Sequence, residues 1–341
     1  PNRIVFYNEE TRHNFLGHAI LHPIKTPVYP LTWGGPFEGV PGGVDYPTMA
    51  QQADKTHAQG GIVSWAHFPN PAGELAIDVA LGKIDSVDLF TFGNPFLSPA
   101  KDWKGNTIPG AVEWWYKLLN TGARLPVSAG TDKMSNGRLS GAVRTYAYLG
   151  KKTLSYDTWA KAIQQGQTFV TTGPMLSLTA NGRPIGSIIK LGSGGQITLE
   201  AEVEAPHKRF PWNRFEIVQN GKVIASHTNP DKRNKIKLNV QVNADKSAWF
   251  AARVYLAEGT DIKLSDELNG SPPIAHTSPI YIDILGSEIW SEDDAVFLAK
   301  QCDIAIEWAK NKALYHTEAQ RDEVVKLYKK AKAIYINGSK P

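Results

Sequence analysis

Residues 60–67 read GGIVSWAH, an apolar run that follows a pair of glycines and ends on His67. A run of this length, bounded by glycine and containing β-branched and aromatic residues, predicts a buried strand. His67 would then stand at the carboxyl end of that strand. Since α/β barrels build their active sites from the carboxyl ends of successive strands, this histidine is a candidate functional residue.

Two other apolar runs end in the same way. RIVFYNEE, at residues 3–10, ends on Glu9 and Glu10, and LPVSAGTD, at residues 125–132, ends on Asp132. Adjacent residues of a strand face opposite sides, so only one of the two glutamates can face a shared site. Carboxylates and a histidine at strand ends are typical of a metal-dependent enzyme.

The chain alternates strands with helical segments up to about residue 172, which predicts a mixed α/β region with parallel strands. Helices are predicted at about residues 47–59, 113–120 and 156–165, and each of them ends near a glycine. Glycine is favoured there because the residue after a helix often adopts a left-handed conformation. Residues 1–172 are therefore expected to form one α/β unit.

The pattern then changes to short alternating strands separated by turns. Asn181-Gly182 and Asn220-Gly221 are strong hairpin signals, because both central residues of a type I′ turn need positive φ. Residues 173–286 are therefore predicted to form an immunoglobulin-like β-sandwich. Residues 287–341 carry two capping patterns and a long helical periodicity, which predicts a C-terminal helical hairpin.

The composition excludes several classes of protein. The net charge is +4 and the basic residues are scattered except in the last helix, so we expect no nucleic-acid partner. No apolar run approaches the roughly 18 residues of a membrane-spanning helix. The single cysteine, Cys302, excludes disulfides within the chain and leaves the compartment open, while ten tryptophans favour a periplasmic or secreted protein.

Two long stretches rich in proline and glycine, residues 26–47 and 93–110, interrupt the α/β region. Loops of this length are uncommon in a compact domain unless they have a function. They are interpreted as the walls of an apolar pocket at the strand ends, and ordinary surface insertions are the alternative.

The residues that could bind a metal are Glu10, His18, His67 and Asp132. Mixed nitrogen and oxygen ligands suit zinc, manganese or iron, and a carboxylate can bridge two ions. The alternative is that both histidines are buried core residues and that Asp132 caps a loop.

The sequence strings around these residues resemble the CehA/McbA family of metallohydrolases, within the PHP-domain superfamily. The strings are NEETRHNFLGH, GGIVSWAHFPNP, WWYKLLNTGARLPVSAGTDKM, RTYAYL and QQGQTFVTTGPMLSLTANGRPIG. AHTSPIYI near residue 280 and the final helical hairpin also resemble that family. The resemblance therefore covers essentially the whole chain.

The resemblance implies a distorted α/β barrel of the PHP type, holding one or two divalent metal ions that activate water. Carried over by position, the metal ligands are Glu10, which is favoured over Glu9, together with His18, His67 and Asp132. Glu10 and Asp132 would also act in catalysis. Asn94, at the end of SVDLFTFGN, would be a polar group of the pocket, and a loop-capping asparagine is the alternative.

One departure from the family concerns its first barrel strand. PHP-type enzymes open with a His-x-His pair, and this sequence contains none. The matching segment would lie upstream of Pro1, and it would be cleaved, disordered or on a separate chain. A barrel without its first strands would expose unpaired edges, so we expect this segment to associate with the chain when it folds.

The predicted function is a metal-dependent hydrolase that acts on an ester, carbamate or amide with an apolar or aromatic body. A PHP-type phosphoesterase is one alternative, although a phosphate site would need more basic residues near the strand ends. The other alternative is a non-catalytic binding protein with a degenerate metal site.

Overall fold

The computed structural model describes residues 8–35, 42–91, 94–96, 98–101, 107–134, 136, 139–257 and 272–338. Over these residues the protein is mixed α/β, with several sheets and six helices. None of the helices in the described ranges is long and apolar enough to cross a membrane. The α/β class predicted from the sequence is therefore confirmed.

The first sheet carries the predicted site. Its strands, in spatial order, are β3 (Thr32–Trp33), β1 (Glu9–His13), β2 (Gly17–His22), β4 (Ile62–Trp65), β5 (Ser86–Asp88) and β8 (Val127–Ser128). β2 is antiparallel to both β1 and β4, whereas β4, β5 and β8 are parallel. The start of β2 therefore lies at the same edge as the ends of β4, β5 and β8. Between β3 and β8 this sheet is open over the described residues, so the predicted distorted barrel of the PHP type is not confirmed.

Four helices belong to the same region: α1 (Met49–His57), α2 (Leu75–Ala80), α3 (Ala111–Asn120) and α4 (Tyr156–Gln164). Local signals fix their ends, which is why three of them could be predicted. Thr48 and Ser155 each accept a hydrogen bond from a backbone N–H of the first turn, at the start of α1 and α4. Gly122 and Gly166, just beyond α3 and α4, have φ of 86° and 68°.

The β-rich region contains a four-stranded sheet and an eight-stranded sheet. The strands are β9 (Arg144–Ala147), β10 (Thr168–Thr171), β11 (Met175–Ala180), β12 (Arg183–Pro184), β13 (Ile188–Leu191), β14 (Gly195–Glu204), β15 (Arg214–Gln219), β16 (Lys222–Thr228), β17 (Lys235–Ala244), β18 (Ala248–Tyr255), β19 (Ala275–Thr277) and β20 (Ile280–Ile284). β12, β11, β14 and β17 form one sheet, and the other eight strands form the second. A separate two-stranded ribbon joins β6 (Ala100–Lys101) to β7 (Thr107–Ile108).

Both predicted hairpin turns are present, with Asn181 and Asn220 each at a φ of 48°. The four-stranded and eight-stranded sheets bury one common core, to which Leu199 of β14 and Phe250 of β18 contribute. β10 precedes the predicted boundary at residue 172, yet it pairs with β19 beyond it. One sheet is therefore continuous across that boundary.

The C-terminal hairpin consists of α5 (Glu292–Asn311) and α6 (Glu318–Asn337), as predicted. Ser291 and Thr317 cap the two helices by accepting from the backbone N–H groups of Asp294 and Gln320. The buried stripe of α6 faces the α/β region, where the Tyr335 hydroxyl donates to the carbonyl of Ala76 at 2.7 Å. The hairpin thus covers α2 and closes the core of the α/β region.

Candidate metal centre

Glu10 and His18 reach the site from two antiparallel strands. Glu10 is the second residue of β1, and His18 is the second residue of β2, where it lies opposite Arg12. This corrects one expectation, because the strand predicted to end on Glu10 continues to His13. The continuation, Thr11-Arg12-His13, contains no apolar residue, so an apolar pattern cannot detect it. Residues 3–7 of the predicted strand lie outside the described residues.

The two adjacent glutamates face opposite sides of β1. Glu9 is buried and accepts from the backbone N–H of Val28 at 3.1 and 3.2 Å. Glu10 instead places Oε1 3.2 Å from His18 Nδ1 and 3.7 Å from His67 Nε2. Glu10 is therefore the glutamate that meets the histidines.

His67 follows β4 with a φ of 31°, a backbone conformation that is strained for a residue with a Cβ. Its Nδ1 lies 2.5 Å from the carbonyl oxygen of Asn70. A carbonyl only accepts hydrogen bonds, so Nδ1 carries the proton and Nε2 of the neutral ring offers a lone pair. Metal-binding histidines are commonly held by such a bond from their other ring nitrogen.

Three ligand atoms converge at this point: Glu10 Oε1, His18 Nδ1 and His67 Nε2. They are separated by 2.9 Å between the two nitrogens and by 3.2 and 3.7 Å from each nitrogen to the carboxylate. A tetrahedral ion with bonds of about 2.0–2.1 Å holds its ligands roughly 3.3–3.4 Å apart. The observed separations fall on both sides of that value, so this cluster could hold a metal ion.

The charges of the cluster also suit a cation. Burial by itself would raise the pKa of Glu10, but the imidazoles of His18 and His67 and the charge of Arg12, 3.5 Å away, hold it well below its usual range. Burial lowers the pKa of His18, which keeps this ring neutral. For His67, burial is outweighed by Glu10 and the Asn70 carbonyl, which raise its pKa. Around neutral pH the cluster thus offers an ionised carboxylate and at least one neutral imidazole.

Asp132 and Asn94 lie near the cluster without joining it. Both line, with His18 and His67, a cavity of about 520 Å³. Among the described residues, the one group of three or more candidate ligands with atoms within 4.8 Å of one another is Glu10, His18 and His67, so Asp132 stays a predicted ligand. Its φ of 45° is a second strained backbone position at the site.

Asn94 accepts a hydrogen bond from the backbone N–H of Phe96 at 3.0 Å. It therefore caps its own loop, as the alternative interpretation expected, and it also borders the cavity. Its role as a pocket group in catalysis stays a prediction.

The walls of the cavity are mainly apolar. They include Phe68, Pro71, Leu89, Phe90, Pro95 and Ile108. The loop at 93–110 supplies part of this wall, as predicted, whereas the described residues of 26–47 do not line the cavity. Lys101 and Arg12 are the cationic side chains on the described wall. Phe37 and Trp103, two aromatic residues of these loops, lie outside the described residues.

Two further polar side chains, His276 and Arg144, are held by hydrogen bonds away from the cluster. His276 is fully buried, where Nδ1 donates to the Thr277 carbonyl and Nε2 accepts from the Tyr116 hydroxyl at 2.6 Å. Arg144 donates to the carbonyl of Gly141 at 2.8 Å. Neither side chain belongs to the cluster.

Sequence reasoning missed one residue beside the cluster. Asp88 ends β5 on the strand adjacent to β4, and burial raises the pKa of its carboxyl to about 6, opposed by a hydrogen bond from Ser128. The negative charges of Glu10 and Asp132 act on it in the same direction as burial. A single aspartate inside the apolar string SVDLF was the available signal.

No protein-family model matches this chain, and no curated protein shows a significant match to its sequence. The resemblance to the CehA/McbA family therefore rests on the sequence strings themselves.

Proposed function

We propose that this protein is a metal-dependent hydrolase that acts on an ester, carbamate or amide. The observation that carries the proposal is the convergence of one carboxylate and two imidazole nitrogens at the edge of a sheet, beside an apolar cavity. This ligand set suits zinc, manganese or iron. One or two ions would be held by Glu10, His18 and His67, with Asp132 as a further candidate ligand.

When bound, a divalent metal of this kind lowers the pKa of a water molecule towards neutrality and polarises a carbonyl oxygen. The protein's own residues prepare the site for that chemistry. The Asn70 carbonyl fixes the tautomer of His67, and His18, His67 and Arg12 together keep Glu10 ionised. The apolar wall excludes water from the bound substrate, which strengthens every electrostatic interaction inside the cavity.

The cavity supports a substrate with an apolar or aromatic body. Phe68, Phe90 and Ile108 present carbon atoms on its wall. Of the two cations there, Arg12 is paired with Glu10. A phosphoester would favour several uncommitted arginines or lysines, so this lining supports a carboxyl-type substrate over a phosphoryl-type one.

The proposal includes the finer features of the fold. The first sheet would be part of a distorted barrel of the PHP type, because β4, β5 and β8 run parallel towards the edge that carries the cluster. The four-stranded and eight-stranded sheets would form an immunoglobulin-like sandwich, since they bury one shared core. Membership of the CehA/McbA family is part of the same proposal.

The test combines metal content with turnover. Protein stripped with a chelator is titrated with Zn²⁺, Mn²⁺ or Fe²⁺, and hydrolysis of a 4-nitrophenyl ester and an aryl carbamate is followed. We expect stoichiometric binding of at least one of these ions and turnover that requires it.

The His67→Ala variant should lose both properties while remaining folded. Losing a residue that only orients a metal ligand costs about 10–100-fold, so losing a ligand is expected to cost at least about 100-fold in kcat/KM. His316→Ala is the matched control, because His316 is exposed and belongs neither to the cluster nor to the cavity wall. Unchanged turnover in His67→Ala, or a wild-type protein that binds none of these metals, would contradict the proposal.

A further inference from the structure

A chain of buried hydrogen bonds crosses the first sheet beneath the metal cluster. It begins at Asp88, whose Oδ1 lies 2.5 Å from the Ser128 hydroxyl. Ser128 Oγ is 3.1 Å from Ser86 Oγ, which is 2.6 Å from Ser64 Oγ. Ser64 Oγ is 2.8 Å from Nε2 of His22. All five side chains are buried, with exposed fractions of 7% or less.

The register of the strands explains why these side chains meet. Ser64 pairs with Ser86, and Asp88 pairs with Ser128, so neighbours across β4, β5 and β8 share one face. On β2, His22 is four residues from His18 and shares that face. Branched apolar residues usually fill such an interior face, so a continuous line of hydroxyls is unusual there.

The two ends of the chain lie at opposite edges of the sheet. Asp88 is the last residue of β5, and its carbonyl accepts from the backbone N–H of Phe68, next to His67. His22 lies opposite Ile62, the first residue of β4, at the other edge. This series of hydrogen bonds therefore joins the edge of the sheet that carries the candidate site to its opposite edge.

At the far side, His22 Nδ1 lies 3.2 Å from the hydroxyl of Tyr156. That hydroxyl is 2.8 Å from Oδ1 of Asn8, whose side chain is exposed. Burial raises the pKa of Tyr156 to about 12, so it remains a hydroxyl group that can both donate and accept. This end of the chain thus opens to solvent.

Every link from Asp88 to Tyr156 can be satisfied in two opposite directions. With Asp88 ionised, Ser128, Ser86 and Ser64 each donate towards it, and His22 donates from Nε2. With Asp88 protonated, each serine donates the other way, Ser64 donates to Nε2, and His22 carries its proton on Nδ1. Both arrangements need a neutral imidazole, and burial lowers the pKa of His22 to about 4.

We propose that Ser128, Ser86, Ser64 and His22 form a proton relay between Asp88, beside the metal cluster, and the solvent-facing edge at Tyr156. In the outward direction, Asp88 gives its proton to Ser128, each serine accepts one proton and passes one on, and His22 accepts at Nε2 and releases from Nδ1. One proton enters the chain and one leaves it, and no bond other than O–H and N–H bonds changes.

The role of this relay in catalysis rests on the proposed hydrolysis. Proton transfer along the hydrogen bonds does not depend on that function. Hydrolysis of an ester yields a carboxylate, an alcohol and one proton. Because the substrate would fill the cavity above the cluster, a separate exit on the opposite side lets that proton leave before the products do.

The tautomer of His22 provides a direct test that does not depend on activity. In zinc-loaded protein labelled with ¹⁵N-histidine, long-range ¹H–¹⁵N spectra report which ring nitrogen carries the proton, and His22→Gln assigns the signal. Between pH 5 and 8 we expect the proton to move from Nδ1 to Nε2 as the pH rises, although His22 stays neutral. A single tautomer across this range in the wild-type protein would overturn the relay.

Two variants break the chain at different links. In Ser86→Ala and in Ser64→Ala, the tautomer of His22 should no longer change with pH. Ser278→Ala is the matched control, because Ser278 is also a buried serine, bonded to Thr168 and to the backbone N–H of Val127, but outside the chain. If the tautomer of His22 still changes with pH in both variants, the proposal would also be overturned.

Steady-state kinetics test the role of the relay in hydrolysis separately. Ser86→Ala should lower kcat by roughly 10-fold or more and leave KM nearly unchanged. If the wild-type tautomer responds to pH and no ester is hydrolysed, the relay stands and the proposed function fails. If hydrolysis proceeds and neither the tautomer nor kcat responds to Ser86→Ala, the relay fails and the hydrolase stands.

Discussion

Glu9 and Glu10 are adjacent in the sequence, but Glu9 has a structural role and Glu10 faces the candidate metal site. Glu9 accepts a backbone hydrogen bond from Val28, whereas Glu10 faces His18 and His67. The two carboxylates are chemically the same type of group. Their neighbours therefore decide what each of them does.

Substitution of Glu10 should change zinc affinity, whereas substitution of Glu9 should change the stability of the fold. Glu10→Gln should weaken zinc binding by about 10–100-fold or more, because a neutral amide replaces the ionised ligand, while the protein stays folded. Glu9→Ala should leave zinc affinity unchanged and lower the free energy of unfolding by about 1–3 kcal/mol, because the backbone N–H of Val28 loses its acceptor. Calorimetric zinc titration and urea unfolding check both values. Equal loss of zinc affinity in the two variants would contradict the assignment.

The sequence could predict part of the site at this scale. Glu10, His18 and His67 are candidate ligands from their residue types and places in the sequence, and the resemblance favours Glu10 over Glu9 and assigns these residues to one metal site. The positive φ of His67 and Asp132 could not be predicted, because it depends on the long-range contacts that hold these two backbones. Asp88 and its serines were missed because serine is common in ordinary strands.

Among the elements, α2 carries two carboxyl groups at the centre of its interface with the hairpin. Glu74 and Asp78 are both fully buried, and Glu74 accepts from the backbone N–H groups of Met49 and Ala50 at the start of α1. Among the described residues, the carboxyl oxygens of Asp78 have no hydrogen-bond partner. Burial and the charge of Glu74 raise the pKa of Asp78 well above its usual range.

This pair predicts that stability falls as the pH rises. Burial raises the pKa of Glu74 from 4.5 to about 7, with its backbone hydrogen bonds opposing the change, so the folded protein binds more protons than the unfolded chain between these values. The free energy of unfolding should therefore decrease by roughly 2–3 kcal/mol from pH 4.5 to 8, apart from other groups. Urea unfolding at several pH values measures the slope.

Asp78→Asn should flatten that slope and stabilise the protein at pH 8, because the amide carries no charge. Asp245→Asn is the control, since Asp245 is exposed in the turn between β17 and β18. An unchanged slope in Asp78→Asn would show that this pair is not the source of the pH dependence.

The helices were easier to predict than the strands because their signals are local. Capping residues such as Thr48, Ser155, Ser291 and Thr317 stand within one turn of the groups they satisfy. The length of β1 depends on pairing with β2 and β3, which no short window of sequence contains. Closure of the first sheet into a barrel depends on still more distant pairings.

At the scale of the whole molecule, the three predicted regions share one core. Trp115 of α3, Trp249 of β18 and Leu298 of α5 belong to the same buried cluster. The indole N–H of Trp249 donates to Asn120 at 2.9 Å, and Arg124 pairs with Asp283 at 2.7 Å. Composition and turn spacing divided the chain into three regions, but they carry no information about how those regions pack.

This shared core predicts a single unfolding transition. Heating should produce one calorimetric peak, and near-ultraviolet circular dichroism and tryptophan fluorescence should change at the same temperature. Two separated peaks would mean that the regions are independent domains in spite of the common core.

The central claim is that Glu10, His18 and His67 bind a metal ion. Crystals of the protein grown with zinc and measured on both sides of the zinc absorption edge would test it most directly. The account predicts an anomalous peak about 2.0–2.2 Å from Glu10 Oε1, His18 Nδ1 and His67 Nε2. Zinc bound only elsewhere, with no peak between these three side chains, would contradict it.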